Sequence, residues 1–402
     1  MVKENLSETE NFKKSKLNSL FLQGAFFSFS SAILSYVLSS YIEEYIGSNY
    51  VSIIYLIPNI ITIFLIFHFG KIIKKIGIYT AYLLDIVLLF FSLFLEVFSD
   101  HNIFYIVFLL IVYQTTMALS WIFIDYYIEK YSSDSSTGNT KGIQWTTINL
   151  TFLFGPLLAG FLVSHFGYSP VFFLSSIMII PPLIFIVKGF KNIKIVREEN
   201  TKINLRKIHR NKAVWKISIM NFLLNFFYCW MTIFTPLYMN KVLNLTWDKI
   251  GIIMFIVLIP FIIFQYPAGK VADKYLGEKE LLMISTLILG VSTIALFFVK
   301  NVFWFTLILF LTRIGASILE IIREVYLYKN LDASNIDLIS FYKLVSPLSW
   351  VIGPVLSSIL LNIFDMKYLF LILGIIILVV GIPVLWNLKD TKVNFKSKII
   401  NF

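Results

Sequence analysis

The chain has 402 residues, of which 58% are hydrophobic and 14% charged, and its mean hydropathy is +0.81. Soluble chains are usually about 45–50% apolar and about 25% charged, so this composition excludes a water-soluble enzyme, a disordered protein and a disulfide scaffold. The net charge of +11 would point a soluble protein towards nucleic acid. In a chain this apolar it is read loop by loop as topology instead, and no nucleic-acid partner is expected.

A spanning helix needs about 20 apolar residues. Residues 1–17 are polar, and the apolar run after them lacks a small-residue cleavage pattern, which predicts an N-terminal tail followed by a retained first helix. Segments of spanning length then lie at 18–40, 50–69, 78–98, 103–127, 144–164 and 169–188. A stretch rich in Lys and Arg, 189–213, reads as a basic cytoplasmic linker. Six further segments lie at 214–238, 248–268, 280–299, 302–326, 338–362 and 367–387, ahead of a short tail at 388–402. The expected organisation is all-α: a polytopic membrane protein with twelve transmembrane helices in two pseudo-symmetric six-helix bundles, 18–188 and 214–387.

With both termini placed inside, the outer loops hold only Lys241, Lys249, Lys300 and Lys367, and Arg313 falls within a span. The remaining 29 basic residues are internal or at inner helix ends. The positive-inside rule therefore predicts cytoplasmic termini in a cell (plasma or inner) membrane, with the lipid bilayer as the surrounding partner. The one cysteine, Cys229, excludes an internal disulfide. Four scattered histidines give no metal-ligand spacing, and no phosphate-cradling loop is present, so no cofactor, metal or ATP hydrolysis is expected.

The halves repeat one another. Gly70, Lys74, Lys75 and Gly77 follow the second span, and Gly269, Asp273, Lys274 and Gly277 follow the eighth, with Gly70 and Gly269 199 positions apart. Gly155-Pro156, with Gly160 behind it, matches Gly353-Pro354. In the fourth span Gln114, Ala118, Trp121 and Asp125 stand at i, i+4, i+7 and i+11. In the tenth, Arg313, Ser317, Glu320 and Glu324 repeat that spacing, each 199 further on. Such spacing puts each set on one helix face. A polar stripe facing lipid is costly, whereas two stripes can line a shared wet cavity. Asn221, Asn225, Tyr228 and Thr232 form another such stripe, and Gln23 aligns with Asn225. This predicts a cavity of amides and aromatic faces, with helix–helix hydrogen bonding as the competing role for each residue.

An arginine at mid-membrane costs about 2.5–3.5 kcal/mol on insertion scales. Arg313 therefore needs an anionic substrate, water, or an ion pair with Glu320 two turns along its face. Glu320 is the main candidate for proton coupling and Asp85, about two turns into the third span, the weaker one; another ion remains open. Pro58, Pro156, Pro236, Pro260 and Pro354 lie inside spans, where they permit kinks.

Two six-helix halves, a basic central loop and glycine-bracketed charged turns resemble the major facilitator superfamily across nearly the whole chain. The turn carried by Gly269, Asp273, Lys274 and Gly277 is similar to that family's loop signature, stretched by Leu276; in the first copy Lys74 replaces the usual Asp. Phe154-Gly155-Pro156 through Gly160 resembles the helix-five signature associated with antiporters. The resemblance implies a secondary transporter working by alternating access, with Asp125 and Glu324 joining the charged turns as inner gates. It leads to a monomeric, non-enzymatic carrier of a small organic molecule, coupled to protons and inclined to efflux of amphipathic compounds. An importer of a small anionic metabolite or sugar is the alternative. A lipid scramblase or membrane-embedded enzyme is the rival from another class.

Overall fold

A computed structural model describes residues 2–99, 102–131, 137–189, 211–274, 277–330 and 336–388. Within these, side chains are described except for 2–14, 49, 129–130, 137–143, 273–274, 328, 336–337 and 339–340. Most of the basic linker and of the C-terminal tail, and the side chains of Asp273 and Lys274, thus lie outside the described residues.

The described residues contain helices and no strand. Among the described residues, twelve helices are long and apolar enough to span a membrane, the eighth counted through to Ala272. They are α1 (Val2–Ser35), α2 (Val51–Ile76), α3 (Ile78–Glu96), α4 (Ile103–Tyr131), α5 (Thr137–Phe166), α6 (Ser169–Gly189), α7 (Lys212–Lys241), α8 (Trp247–Ile263), α9 (Glu278–Leu296), α10 (Val302–Asn330), α11 (Ile336–Leu361) and α12 (Lys367–Trp386). Each overlaps a segment marked on the sequence, although α1 begins at Val2 and so takes in the stretch read as a polar tail. Two further departures are local. The first span ends at Ser35, and a separate short helix, Leu38–Tyr45, follows it. The eighth breaks at Phe264, four residues after Pro260, and continues as Gln265–Lys274. A proline cannot donate its backbone bond and pushes away the carbonyl four residues back. That effect falls on Ile256 O, one turn before the proline, so Pro260 does not itself account for the turn at Phe264, where Phe264 N–H still donates to Pro260 O at 2.9 Å.

The helices form two compact units. One gathers α1–α6 with Thr232–Phe255; the other gathers α7 up to Met231 with Ile256 onward. In the first, α1 packs on α5 and α6, and α3 packs on α4 and α6. Serines bind α1 to α6 reciprocally: Ser30 Oγ donates to Ser175 O at 3.0 Å and Ser175 Oγ to Ser30 O at 2.9 Å. In the second unit α9 lies against α10 and α12. With lipid as solvent, little hydrophobic force draws helices together, so close backbone contact and hydrogen bonds matter more. Gly315, Gly290 and Gly374 supply that closeness. A Cβ on Gly315 would stand 2.7 Å from Leu289 N, and one on Gly374 2.7 Å from Gly290 O.

The helix-five motif has the same origin. A Cβ on Gly155 would lie 2.5 Å from Ala32 Cβ and 2.6 Å from its carbonyl carbon, so α5 rests on α1 there. Gly160 meets Trp247 O and Gly251, leaving backbone on backbone between α5 and the first turns of α8. The second-half copy, Gly353, sits against Cys229 and Trp230 of α7, and Trp230 Nε1 donates to Gly353 O at 2.8 Å. Ala32 and Trp230 are 198 positions apart, so both motif glycines address the leading helix of their half at equivalent points. Pro156 and Pro354, like Pro58 and Pro236, lie within continuous helices.

The paired glycine turns diverge. Gly77 alone joins α2 to α3 at φ +82°, a region that disfavours any residue with a Cβ. Gly277 caps α9 in an extended conformation, φ −72°. Gly70 and Gly269 lie within helices, with open space beside Gly269. Lys74 and Lys75 are exposed at the end of α2.

Candidate substrate and coupling site

The second unit holds a continuous polar network at span depth. Asn221 of α7 is its hub and is 3% exposed. Its Nδ2 donates to Tyr342 O of α11 at 2.8 Å. Its Oδ1 accepts from Asn225 Nδ2 at 2.7 Å and from Arg323 Nη1 of α10. Asn225, one turn along, accepts at Oδ1 from Ser346 Oγ at 2.7 Å. Two of the helix-seven amides are therefore brought together, but their bonds run to α10 and α11. Arg323 Nη2 lies 3.9 Å from Glu324 Oε1, which accepts from Tyr342 Oη at 2.8 Å.

Glu320 joins this cluster. It is 8% exposed, and its Oε2 accepts from Gln265 Nε2 at 2.7 Å, immediately after the α8 break. Arg323, one turn on, and Tyr228 of α7 face it. The cation beside Glu320 is thus Arg323, where the sequence pointed to Arg313. Counted on the sequence as an inner-end topological charge, Arg323 is 5% exposed within the span Val302–Leu327. The missed signal is the i, i+3, i+4 spacing of Glu320, Arg323 and Glu324, which gathers three charges into one turn. Arg313 is buried two turns earlier, its guanidinium carbon 5.0 Å from the Phe227 ring centroid, a cation–π contact. Ser317 is fully buried, and its hydroxyl bonds back to Ile314 O at 3.0 Å. Tyr228 packs beside Phe261.

The first unit arranges its polar groups differently. Asp85 of α3 is 5% exposed and accepts at Oδ2 from Ser120 Oγ of α4 at 2.5 Å. Tyr82, one turn earlier, donates to Gln23 Oε1 of α1 at 3.4 Å. Gln23 is wholly buried, and its Nε2 makes no hydrogen bond. Gln114 Nε2 donates to Ile54 O of α2 at 3.0 Å. That carbonyl lies four residues before Pro58 and has lost its helical N–H partner, so Gln114 repairs the break. Asp125 accepts from Gln144 Nε2 at 3.1 Å rather than from the exposed Lys74 or Lys75. Trp121 is half-buried with Phe27 near its ring, and Thr232 is half-buried in the α7 segment grouped with this unit.

Sequence inspection also missed Glu96 at the end of α3, 3% exposed and accepting from Tyr41 Oη at 2.7 Å. Burial, then the neighbouring Glu96 charge, raises the Tyr41 phenol far above its ordinary value, so it remains a neutral donor. Among the described residues no cluster of His, Cys, Asp and Glu could hold a metal ion.

Comparison with known proteins places this architecture. The family model described as Major Facilitator Superfamily matches residues 20–258 and 235–399. The chain belongs to that superfamily. It is a multi-pass membrane protein and a transporter of small solutes. Similar solved structures include a mutant of the nucleoside transporter NupG, at 14% identity and TM-score 0.71, covering 93% of this chain and 100% of that one. A POT family transporter in complex with a thioalcohol-conjugated peptide is 16% identical at TM-score 0.71, covering 95% and 96%. A bacterial homologue of the human lysosomal transporter Spinster is 11% identical at TM-score 0.67, covering 93% and 92%. At these identities the likeness is one of fold. A comparison with curated protein sequences gave no match.

Proposed function

We propose that this major facilitator carrier is a proton-coupled secondary transporter exporting a small amphipathic organic solute by alternating access. It acts as a monomer in the cell membrane, with both termini cytoplasmic. The observation that carries the reading is Glu320, a buried carboxyl set between Gln265 and Arg323 in a span otherwise dominated by apolar residues. A carboxyl there can take up and release a proton where lipid would exclude a permanent charge. Asp85 is a second, weaker proton site. Gln23, Trp121, Asn225, Tyr228, Thr232 and Arg313 serve as solute contacts. Gln114, Asn221 and Ser317 contribute while keeping the structural bonds described above. Gly70, Gly77, Gly269 and Gly277 bracket the inner gates, with Lys74, Lys75, Asp125, Asp273, Lys274 and Glu324. The helix-five glycines and the aromatic residues support efflux. Arg313, buried at mid-span beside Phe227, favours the second reading, uptake of a small anionic solute.

A thermal-shift screen of lipophilic cations against small carboxylates identifies the ligand class. Flux of the selected ligand in proteoliposomes under an imposed pH gradient then tests coupling. Accumulation that follows the gradient, and is lost in Glu320→Gln, is the expected result. Flux indifferent to the gradient rejects the coupling, and lipid movement in its place returns the scramblase alternative.

A further inference from the structure

Arg323 is a cation with divided obligations. It is 5% exposed; Nη1 donates to Asn221 Oδ1, Nη2 stands 3.9 Å from Glu324, and Nε makes no hydrogen bond. A buried donor left unsatisfied loses its water without gaining a partner, so it favours any acceptor brought within reach. Glu320, three residues earlier on the same helix, is the nearby group whose acceptor capacity changes when it exchanges a proton. The other groups around this pair are Gln265 on the α8 continuation, Tyr228 on α7, Tyr342 on α11 and Glu324 on α10. Gln265 is already bonded to Glu320, and Tyr342 to Glu324. Arg313 lies two turns away, against Phe227.

We propose that Arg323 is the positioning residue that reads the proton on Glu320 and passes its state to α7 through Asn221. With Glu320 neutral, the guanidinium stays on Asn221 Oδ1 and locks α7 to α10. With Glu320 ionised, the guanidinium turns its free Nε–H to the carboxylate and weakens its hold on Asn221. Asn221 Oδ1 then has only Asn225 as donor, and the Asn225–Ser346 link between α7 and α11 shifts with it. The step moves one proton on and off Glu320 and exchanges hydrogen bonds; no covalent bond changes. This inference rests on Glu320 being the coupling carboxyl, and its test separates the two ideas.

The full-length protein in lipid nanodiscs needs no ligand for the experiment. Infrared titration follows the protonated-carboxyl band; the component missing in Glu320→Gln belongs to Glu320. Removing a cation beside a carboxyl favours its protonated form. Arg323→Gln therefore moves that component's midpoint up by about one pH unit or more, and Arg313→Gln moves it less. The second readout is Cys229, the one thiol in the chain, buried on α7 against Gly353. Its alkylation rate with N-ethylmaleimide gains a pH-dependent step at the Glu320 midpoint. That step is absent in Glu320→Gln and Arg323→Gln. It is also absent in Asn221→Ala, which keeps the Arg323 charge, frees the guanidinium for the carboxylate and so moves the infrared midpoint down, opposite to Arg323→Gln. Arg323→Lys keeps the midpoint near wild type but blunts the thiol response, because an ammonium lacks the planar fork.

A carboxyl band unchanged in Glu320→Gln overturns the coupling assignment itself. A band that disappears in Glu320→Gln but does not move in Arg323→Gln overturns the role of Arg323 alone, as does a thiol response that survives Asn221→Ala. Should Arg323→Gln not fold, Arg323→Lys and Asn221→Ala decide between the same outcomes.

Discussion

Helices α4 and α10 occupy equivalent places in the two halves and carry their stripe at the same spacing, yet they use it differently. In α4, Gln114 spends its amide on the carbonyl that Pro58 orphans, Trp121 is an aromatic wall, and Asp125 bonds Gln144. In α10, Glu320, Arg323 and Glu324 form a charged cluster reaching α7, α11 and the α8 continuation, while Arg313 lies apart against Phe227. The first unit keeps its buried carboxyl on α3 instead, where Asp85 takes a hydroxyl from Ser120. A duplicated scaffold can thus preserve backbone geometry while concentrating charge in one copy. The half that gathers its charges into one turn bears the larger desolvation cost there, and it is the half in which we propose that the coupling proton binds.

The comparison breaks most sharply at Glu320. Glu320→Gln is expected to abolish gradient-driven flux of a ligand selected by thermal shift while counterflow continues. Trp121→Phe, at the equivalent position, leaves the gradient response intact and alters affinity only, and Asp85→Asn weakens the response less than Glu320→Gln does. A gradient response surviving Glu320→Gln would erase the distinction between the halves.

The motif glycines give the next largest contrast. Gly155→Ala drives a methyl into the Ala32 backbone, which cannot yield. A loss of about 1–3 kcal/mol follows, read as a lower thermal unfolding midpoint in detergent. Gly353→Ala meets mainly the Cys229 thiol, at 2.8 Å, and the midpoint falls less. Equal losses would mean that the two contacts are not distinguished by what they touch.

Gln114→Leu strips the donor from Ile54 O and is expected to cost about 1–2 kcal/mol. In a Pro58→Ala background the helical N–H returns, and most of that cost disappears. Additive effects in this double-mutant cycle would remove the repair role of Gln114. The smallest contrast lies in the turns. Gly77→Ala costs about 1 kcal/mol because its φ is positive, whereas Gly277→Ala escapes that backbone penalty.

The twelve spans were legible because a run of about 20 apolar residues has few other uses, and the motif glycines were legible because both copies recur. The break after Ser35 was not, since hydropathy runs on through Val37 and Leu38 into the short helix that follows. Nor was Arg323: four residues from the Val302–Leu327 boundary, an arginine looks like an ordinary inner-end charge until Asn221 is seen beside it. Gln114 belonged to a stripe on its own helix, but its bond answers a proline on another, and one-dimensional spacing carries no record of that. Glu96 was hidden for the same reason, its partner Tyr41 lying in the short helix after α1.

Gly160 and Gly251 meet backbone to backbone, without intervening side chains. A seam of that kind has no rotamers to adjust, so it cannot open by small degrees as an interdigitated leucine surface does. A methyl added at either glycine meets main chain that no rotamer change can move aside, so the two backbones themselves must part to admit it.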